Sequence, residues 1–338
     1  MLSWLVILSV AFQFLTPTDF NRIGYTASQP APAAAAPVAL PLSSPEHRWA
    51  PLDRLADNTL QERLDNRLRG NDAWHRLIEE GRLAVGVVDL RDLDNIRFAA
   101  INGDVMFYAA SLPKIAALLT AHEKLEAGAL VETPELNHDL IDMIRVSSNR
   151  AATRVIDTVG LKAIRATVTN PRYRFYDESR GGGIWLGKRY HSTGPRYPDP
   201  VAGYSHAATV DQVCRFYYLL ATGRLVSRER SASMLDALSC PGIQHKFCRA
   251  LAELGTEASV YRKSGTWRNW HGDSVLVWGD DGRRYILAAL VEDSNGEKIL
   301  RNILPAVEDA LSIAPGNDSV DVGGKSLVFD GRVDSKDI

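Results

Sequence analysis

Residues 258–292 read ASVYRKSGTWRNWHGDSVLVWGDDGRRYILAALVE. Runs rich in β-branched and aromatic residues predict strands at Ala258 to Lys263, Ser274 to Trp278 and Tyr285 to Val291, with Asp280-Asp281-Gly282 as the turn between the last two. Downstream, Leu300 to Ile313 has the spacing of a closing helix that carries Pro305. Far upstream the same strand signal returns at Leu83 to Leu90 (LAVGVVDL) and within Asn95 to Tyr108, around a turn at Asn102-Gly103-Asp104. These strands follow a charged amphipathic helical stretch from Leu55 to Gly81. Between the two groups of strands, from Ser111 to about Gly255, the signals are mainly helical. They include Ile115 to Leu125, Leu140 to Val146, Ala151 to Val159, and Val210 to Ala221 behind a capping box at Thr209 to Gln212. Strands at both ends with helices between them predict an α+β fold, in which one antiparallel sheet flanked by helices is completed late around an inserted helical subdomain. The boundary between the two parts is a natural cleft.

The composition, 45% hydrophobic and 24% charged, supplies enough apolar chain for a large core. Lysine plus arginine (39) nearly balances aspartate plus glutamate (41), so there is no strong field to draw the protein to nucleic acid. The run LSWLVILSVAFQFL after Met1 is shorter than a spanning helix needs and has the character of a signal h-region. It lacks a basic n-region and an A-x-A site, so an uncleaved membrane anchor stays open beside export to the periplasm or the exterior. The expected organisation is a signal-like or anchor segment at 1–20, an Ala/Pro-rich linker at 21–50, a catalytic domain at 51–314 and a polar tail at 315–338. Cys214 falls in an apolar helix, while Cys240 and Cys248 flank a short loop with Pro241 and Gly242 and either pair or stay free. No CxxC or HExxH spacing occurs among the cysteines and eight histidines, so no metal and no cofactor is expected, and His191, His206 and His271 read as turn or capping residues.

Three polar motifs carry the chemistry. Ser111-Leu-Pro-Lys114 opens a helix, and a lysine three residues on lies over the same helical face as the serine, in reach of its oxygen. Such a lysine acts as a base if burial lowers its pKa. Ser147-Ser148-Asn149 lies between two helical stretches. Ser147 is placed to pass a proton to a leaving nitrogen, and Asn149 to hold a substrate amide. Lys263-Ser264-Gly265-Thr266 ends a strand expected to border the cleft. There Lys263 orients Ser147 and, with Ser264, attracts a substrate carboxylate, while Gly265 permits close approach. The amides of Ser111 and Thr266 form the expected oxyanion hole, worth roughly 3 kcal/mol per donor.

In this order, the motifs resemble the SxxK, S-D-N and K-T-G set of the penicillin-recognising serine hydrolases, class A β-lactamases among them. The resemblance covers about Leu83 to Ile313 and extends to KSGTWRNW and the following DSVLVWGDDGRRYILAALV. It implies a β-lactamase/transpeptidase-like fold and a hydrolase that opens a β-lactam or related amide, small or peptidoglycan-derived, through a Ser111 acyl-enzyme. A D-alanyl-D-alanine peptidase or amidase/esterase shares every acylation residue, and a penicillin-binding sensor would differ only in slow deacylation. The sequence departs from the class A pattern in three places. The stretch 172–190, RYRFYDESRGGGIWLGKRY, lacks the expected glutamate, although Asp177 and Glu178 stand nearby and point to a base somewhere in Tyr176 to Gly183. Only thirty-six positions separate Ser111 from Ser147, and Ser148 replaces an aspartate. Trp185, Trp267 and Trp270 are candidate cleft walls, and Arg268 a supplementary carboxylate contact.

Overall fold

The computed structural model describes residue 40 and residues 49–313. The apolar segment, most of the linker and the tail lie outside those residues. The central sheet is built from β1 (Leu83–Asp89), β2 (Arg97–Ile101), β8 (Ser259–Trp267), β9 (Trp270–Trp278) and β10 (Arg284–Glu292), in the order β2-β1-β10-β9-β8. Every pairing is antiparallel, with Val87 opposite Leu287, Leu287 opposite Val275, and Lys263 opposite Ser274. The late strands therefore slot beside the first one, and β8, which carries Lys263 to Thr266, forms an edge.

The near-continuous apolar runs of β1 and β10 serve two faces. Along β1, Ala84 and Val88 belong to one core, while Leu83, Val85 and Val87 belong to the other. Along β10 the same alternation sends Ile286, Ala288 and Leu290 one way and Tyr285, Leu287, Ala289 and Val291 the other. One face is covered by α1 (Asn58–Arg69), α2 (Asp72–Glu79) and α10 (Gly296–Ala310). Over the other lies α7 (Val210–Ala221), with Cys214 packed so closely on β1 that a side chain at Gly86 would sit 2.9 Å from its sulfur.

Beyond α7, the helical part surrounds α3 (Lys114–Glu126), ten of whose residues are buried. Around it pack α4 (Pro134–Arg145), α5 (Asn149–Val159), α6 (Leu161–Thr169) and α8 (Arg228–Leu238). Shorter pieces among the described residues include β3 (Phe107–Tyr108), β4 (Tyr176–Asp177), β5 (Gly182–Gly183), β6 (Trp185–Leu186), β7 (His206–Ala208) and α9 (Phe247–Glu253).

Two expectations are corrected and others are filled in. The stretch 55–81 is two helices, because the first ends at Gly70 and Asn71 starts the second by accepting from the amides of Ala73 and Trp74. The chain after Asn102 leaves the main sheet, and β3 pairs with β7 in a separate three-stranded sheet. Helices α6, α8 and α9 lie inside the stretch expected to be mainly helical, outside the spans delimited there. Cys240 and Cys248 are free, the first exposed and the second buried.

Candidate active site

Ser111 stands in the tight turn between β3 and α3. The amide of Ala109 donates to the His206 carbonyl, and that of Leu112 back to the Ala109 carbonyl, which fixes the turn to β7. Ala110, immediately before the serine, has φ +49°, a left-handed conformation that is unfavourable for a side chain with a Cβ. Helix α3 proper begins at Lys114, so Ser111 lies just ahead of it, and among the described residues its amide donates to nothing.

Lys114 is fully buried. Its Nζ donates to the Ser147 carbonyl (2.6 Å), to Asn149 Oδ1 (2.9 Å) and, at 3.4 Å, to Ser147 Oγ. It also lies 4.4 Å above the ring of Tyr190, whose hydroxyl donates to the Ala110 carbonyl. Burial pulls its pKa down to about 7, and among the described residues no carboxylate pairs with it to restore the charge.

Ser147 occupies the turn between α4 and α5 with φ +56°. Ser148, standing where class A enzymes keep an aspartate, caps α5 by accepting from the Ala151 amide. From the opposite side Lys263 Nζ donates to Ser147 Oγ (2.9 Å) and to the Ser264 carbonyl (2.8 Å). Burial first, and then the positive charge of Lys114, hold Lys263 well below its ordinary pKa. The Ser147 hydroxyl is thus clasped between two buried lysines from different parts of the chain.

Strand β8 presses against the Ser111 turn at one residue. A Cβ on Gly265 would lie 2.2 Å from the Ala109 carbonyl oxygen and 2.8 Å from the Ser111 amide nitrogen. That contact sets the Ser111 amide alongside the strand that presents Thr266. The strand is held from below by Arg262, which donates to both oxygens of Asp273 at 2.8 and 2.9 Å, and by Ser274 Oγ, which donates to the Lys263 carbonyl.

Two participants escaped the sequence reading. Lys246, buried and at φ +52°, donates to the Gly265 carbonyl (2.8 Å), Thr266 Oγ1 (2.8 Å) and the Gly272 carbonyl (3.0 Å), with its pKa lowered by burial to about 8. Tyr190 is the second. Asp177 and Glu178 are not over the lysine: Asp177 is engaged by Arg174 and Ser179 in a small turn joining β4 to β5. Gly182 and Gly183 in that stretch lie against Met106 and the Phe175 carbonyl. The residue that covers Lys114 is therefore Tyr190, later than the stretch singled out from sequence. No local pattern marks either residue, since each is defined by a partner distant in the chain.

Of the three tryptophans, Trp270 joins Phe107, Tyr108 and Tyr204 in an aromatic cluster, Trp185 is buried against Tyr176, and Trp267 is exposed with Arg268 stacked over it. His206 Nε2 donates to the Lys188 carbonyl (3.0 Å), its Nδ1 lies 3.1 Å from Ser205 Oγ, and its ring lies 4.4 Å from that of Tyr190.

A family model described as the beta-lactamase enzyme family matches residues 132–311. That span contains Ser147 and Lys263 and begins after Ser111 and Lys114. No curated protein matches the chain. Among solved structures, a β-lactamase from Sphaerobacter thermophilus DSM 20745 is 19% identical, with a TM-score of 0.58 over 75% of this chain and 99% of its own. A representative class A β-lactamase from Bacteroides cellulosilyticus DSM 14838 gives 16%, 0.56, 75% and 99%. A structure titled PBP-A gives 17%, 0.55, 81% and 99%.

Proposed function

The chain belongs to the beta-lactamase enzyme family, and from that premise we propose that it is a serine hydrolase that opens a β-lactam or related amide through a Ser111 acyl-enzyme. The observation that carries the reading is the convergence of Lys114 and Lys263 on Ser147 Oγ beside the Ser111 turn. Neutral Lys114 takes the Ser111 proton as the serine oxygen adds to the carbonyl carbon. The amides of Ser111 and Thr266 receive the oxyanion. When the carbon–nitrogen bond breaks, Ser147 gives its proton to the departing nitrogen and is reprotonated from the Lys114 ammonium. Lys263 and Ser264 hold a carboxylate on the substrate, and Asn149 holds its amide. Hydrolysis of the ester completes the cycle. The reading carries with it an exported location, with the N-terminus released or kept as an anchor.

A second reading, a D-alanyl-D-alanine peptidase or amidase/esterase, is favoured by the surroundings of Lys114. Tyr190 covers the lysine, and among the described residues no carboxylate pairs with Lys114 where one would activate a water for deacylation. The two readings share acylation and differ in how long the adduct lasts. Intact-mass spectrometry after mixing with benzylpenicillin separates them: a transient adduct with released product supports the lactamase, and a persistent adduct the peptidase or a sensor. Absence of any adduct would sink both β-lactam readings, and labelling that survives in Ser111→Ala would refute the nucleophile.

A further inference from the structure

The loop that delivers Tyr190 to Lys114 borders a second cavity on its other flank. Its neighbour Arg189 pairs with Asp157 at the end of α5, and between this loop and helices α5 and α6 lies a cavity of about 460 Å³. The apolar part of its lining comes from Ile156, Leu161, Trp185 and Leu186. The charged part comes from Lys162, Arg165, Arg189 and Asp157. Asp157 is already engaged by Arg189, whereas Lys162 and Arg165 have no acidic partner among the described residues.

The local backbone does nothing to offset that charge. Helix α6 starts at Gly160 with no side-chain cap and no acidic residue in its first turn, so its amides add positive potential where Lys162 already stands. A cavity with an indole floor and an uncompensated cationic rim suits one ligand chemistry: an anionic head on an apolar body.

We propose that this cavity is a binding site for a small amphipathic organic anion, its acid group between Lys162 and Arg165 and its apolar body against Trp185 and Leu186. The site is separate from the Ser111 cleft and lies one residue along the chain from the tyrosine that covers Lys114. The proposal does not depend on what Ser111 acylates.

Fluorescence titration with 1-anilinonaphthalene-8-sulfonate as the anionic probe, and neutral N-phenyl-1-naphthylamine as its control, tests it on the full chain. Saturable binding of the sulfonate to the native protein is expected. In Lys162→Glu/Arg165→Glu, both positions being exposed, sulfonate affinity should fall at least tenfold. The melting temperature and the weaker binding of the neutral probe should stay unchanged. Sulfonate affinity that is the same in the double variant, or an equal loss for both probes, would overturn the site, as would a native protein that binds no sulfonate saturably.

Discussion

Lys114 is the residue on which the proposed chemistry turns, and its environment predicts how the reaction depends on pH. Burial lowers its pKa to about 7, so the neutral amine that takes the serine proton accumulates as pH rises through that value. The rate of Ser111 acylation, measured by stopped-flow or quenched mass spectrometry, should climb with a midpoint about 7 and level off above it; a midpoint near 10 would mean an ordinary exposed lysine. In the proposed chemistry Lys246 would act one step removed, through its hydrogen bonds to the strand that carries Thr266. Replacing it in Lys246→Met leaves two carbonyls and a hydroxyl without their donor, with an expected loss of about 1–3 kcal/mol in urea unfolding and about a tenfold slower acylation. The contrast between these lysines explains what was readable. Lys114 sits in a fixed spacing from a serine and Lys263 in a strand with a small residue after it, whereas Lys246 is defined only by three partners reached through folding. Tyr190 was unreadable for the same reason, and the acidic pair at Asp177 and Glu178 misled because chemistry-bearing residue types were nearby without being aimed at the site.

At the scale of elements, the edge strand β8 and the turn before α3 must touch for the serine amide and the Thr266 amide to face one position. Gly265 is the contact, and Gly265→Ala places a methyl 2.2 Å from the Ala109 carbonyl oxygen. Backbone on both sides cannot yield as a side chain would, so β8 must move away from Ser111. The expected outcome is a loss of about 1–3 kcal/mol in stability and an acylation rate at least a hundredfold lower; an unchanged rate would mean that the close approach does not shape the oxyanion hole. The strands themselves were legible as short runs rich in β-branched and aromatic residues bounded by turn residues, whereas the alternation of Leu83 to Leu90 and Tyr285 to Val291 between two cores shows only in the fold, because both faces are buried. Helices α6, α8 and α9 were not delimited, since nine, eleven and seven residues offer few turns of periodicity and their stability comes from packing around α3 and the sheet. The break at Gly70 was visible as a glycine followed by a capping asparagine, but the leucine spacing on either side suggested continuity.

Over the whole molecule, the buried ionisable groups bias the fold toward alkaline stability. His122, His206 and His245 each have their pKa lowered by burial to about 4, from an ordinary 6.5. Between those values the unfolded chain binds protons that the native state refuses, so stability falls as pH drops from 6.5 toward 4. Asp211, raised by burial to about 6, opposes this between 3.8 and 6, but it is one group against three. Lys114 at about 7 and Lys246 at about 8 extend the same slope upward. Their native forms lose protons well before the unfolded lysines do at 10.5, so stability keeps rising with pH across that window. The opposite sign sets in where buried Cys248, raised from 9 to about 12, and buried Tyr217 and Tyr285 hold protons that the unfolded chain surrenders. The midpoint of urea unfolding should therefore increase from pH 5 to about pH 9 and decline beyond about pH 10. A maximum at pH 6 would require the buried lysines to be charged in the native state, and the same result would remove the base from the proposed acylation step. Acylation and stability thus both report the proton that burial takes from Lys114: acylation levels off above about pH 7, where the contribution of this lysine to stability begins to grow.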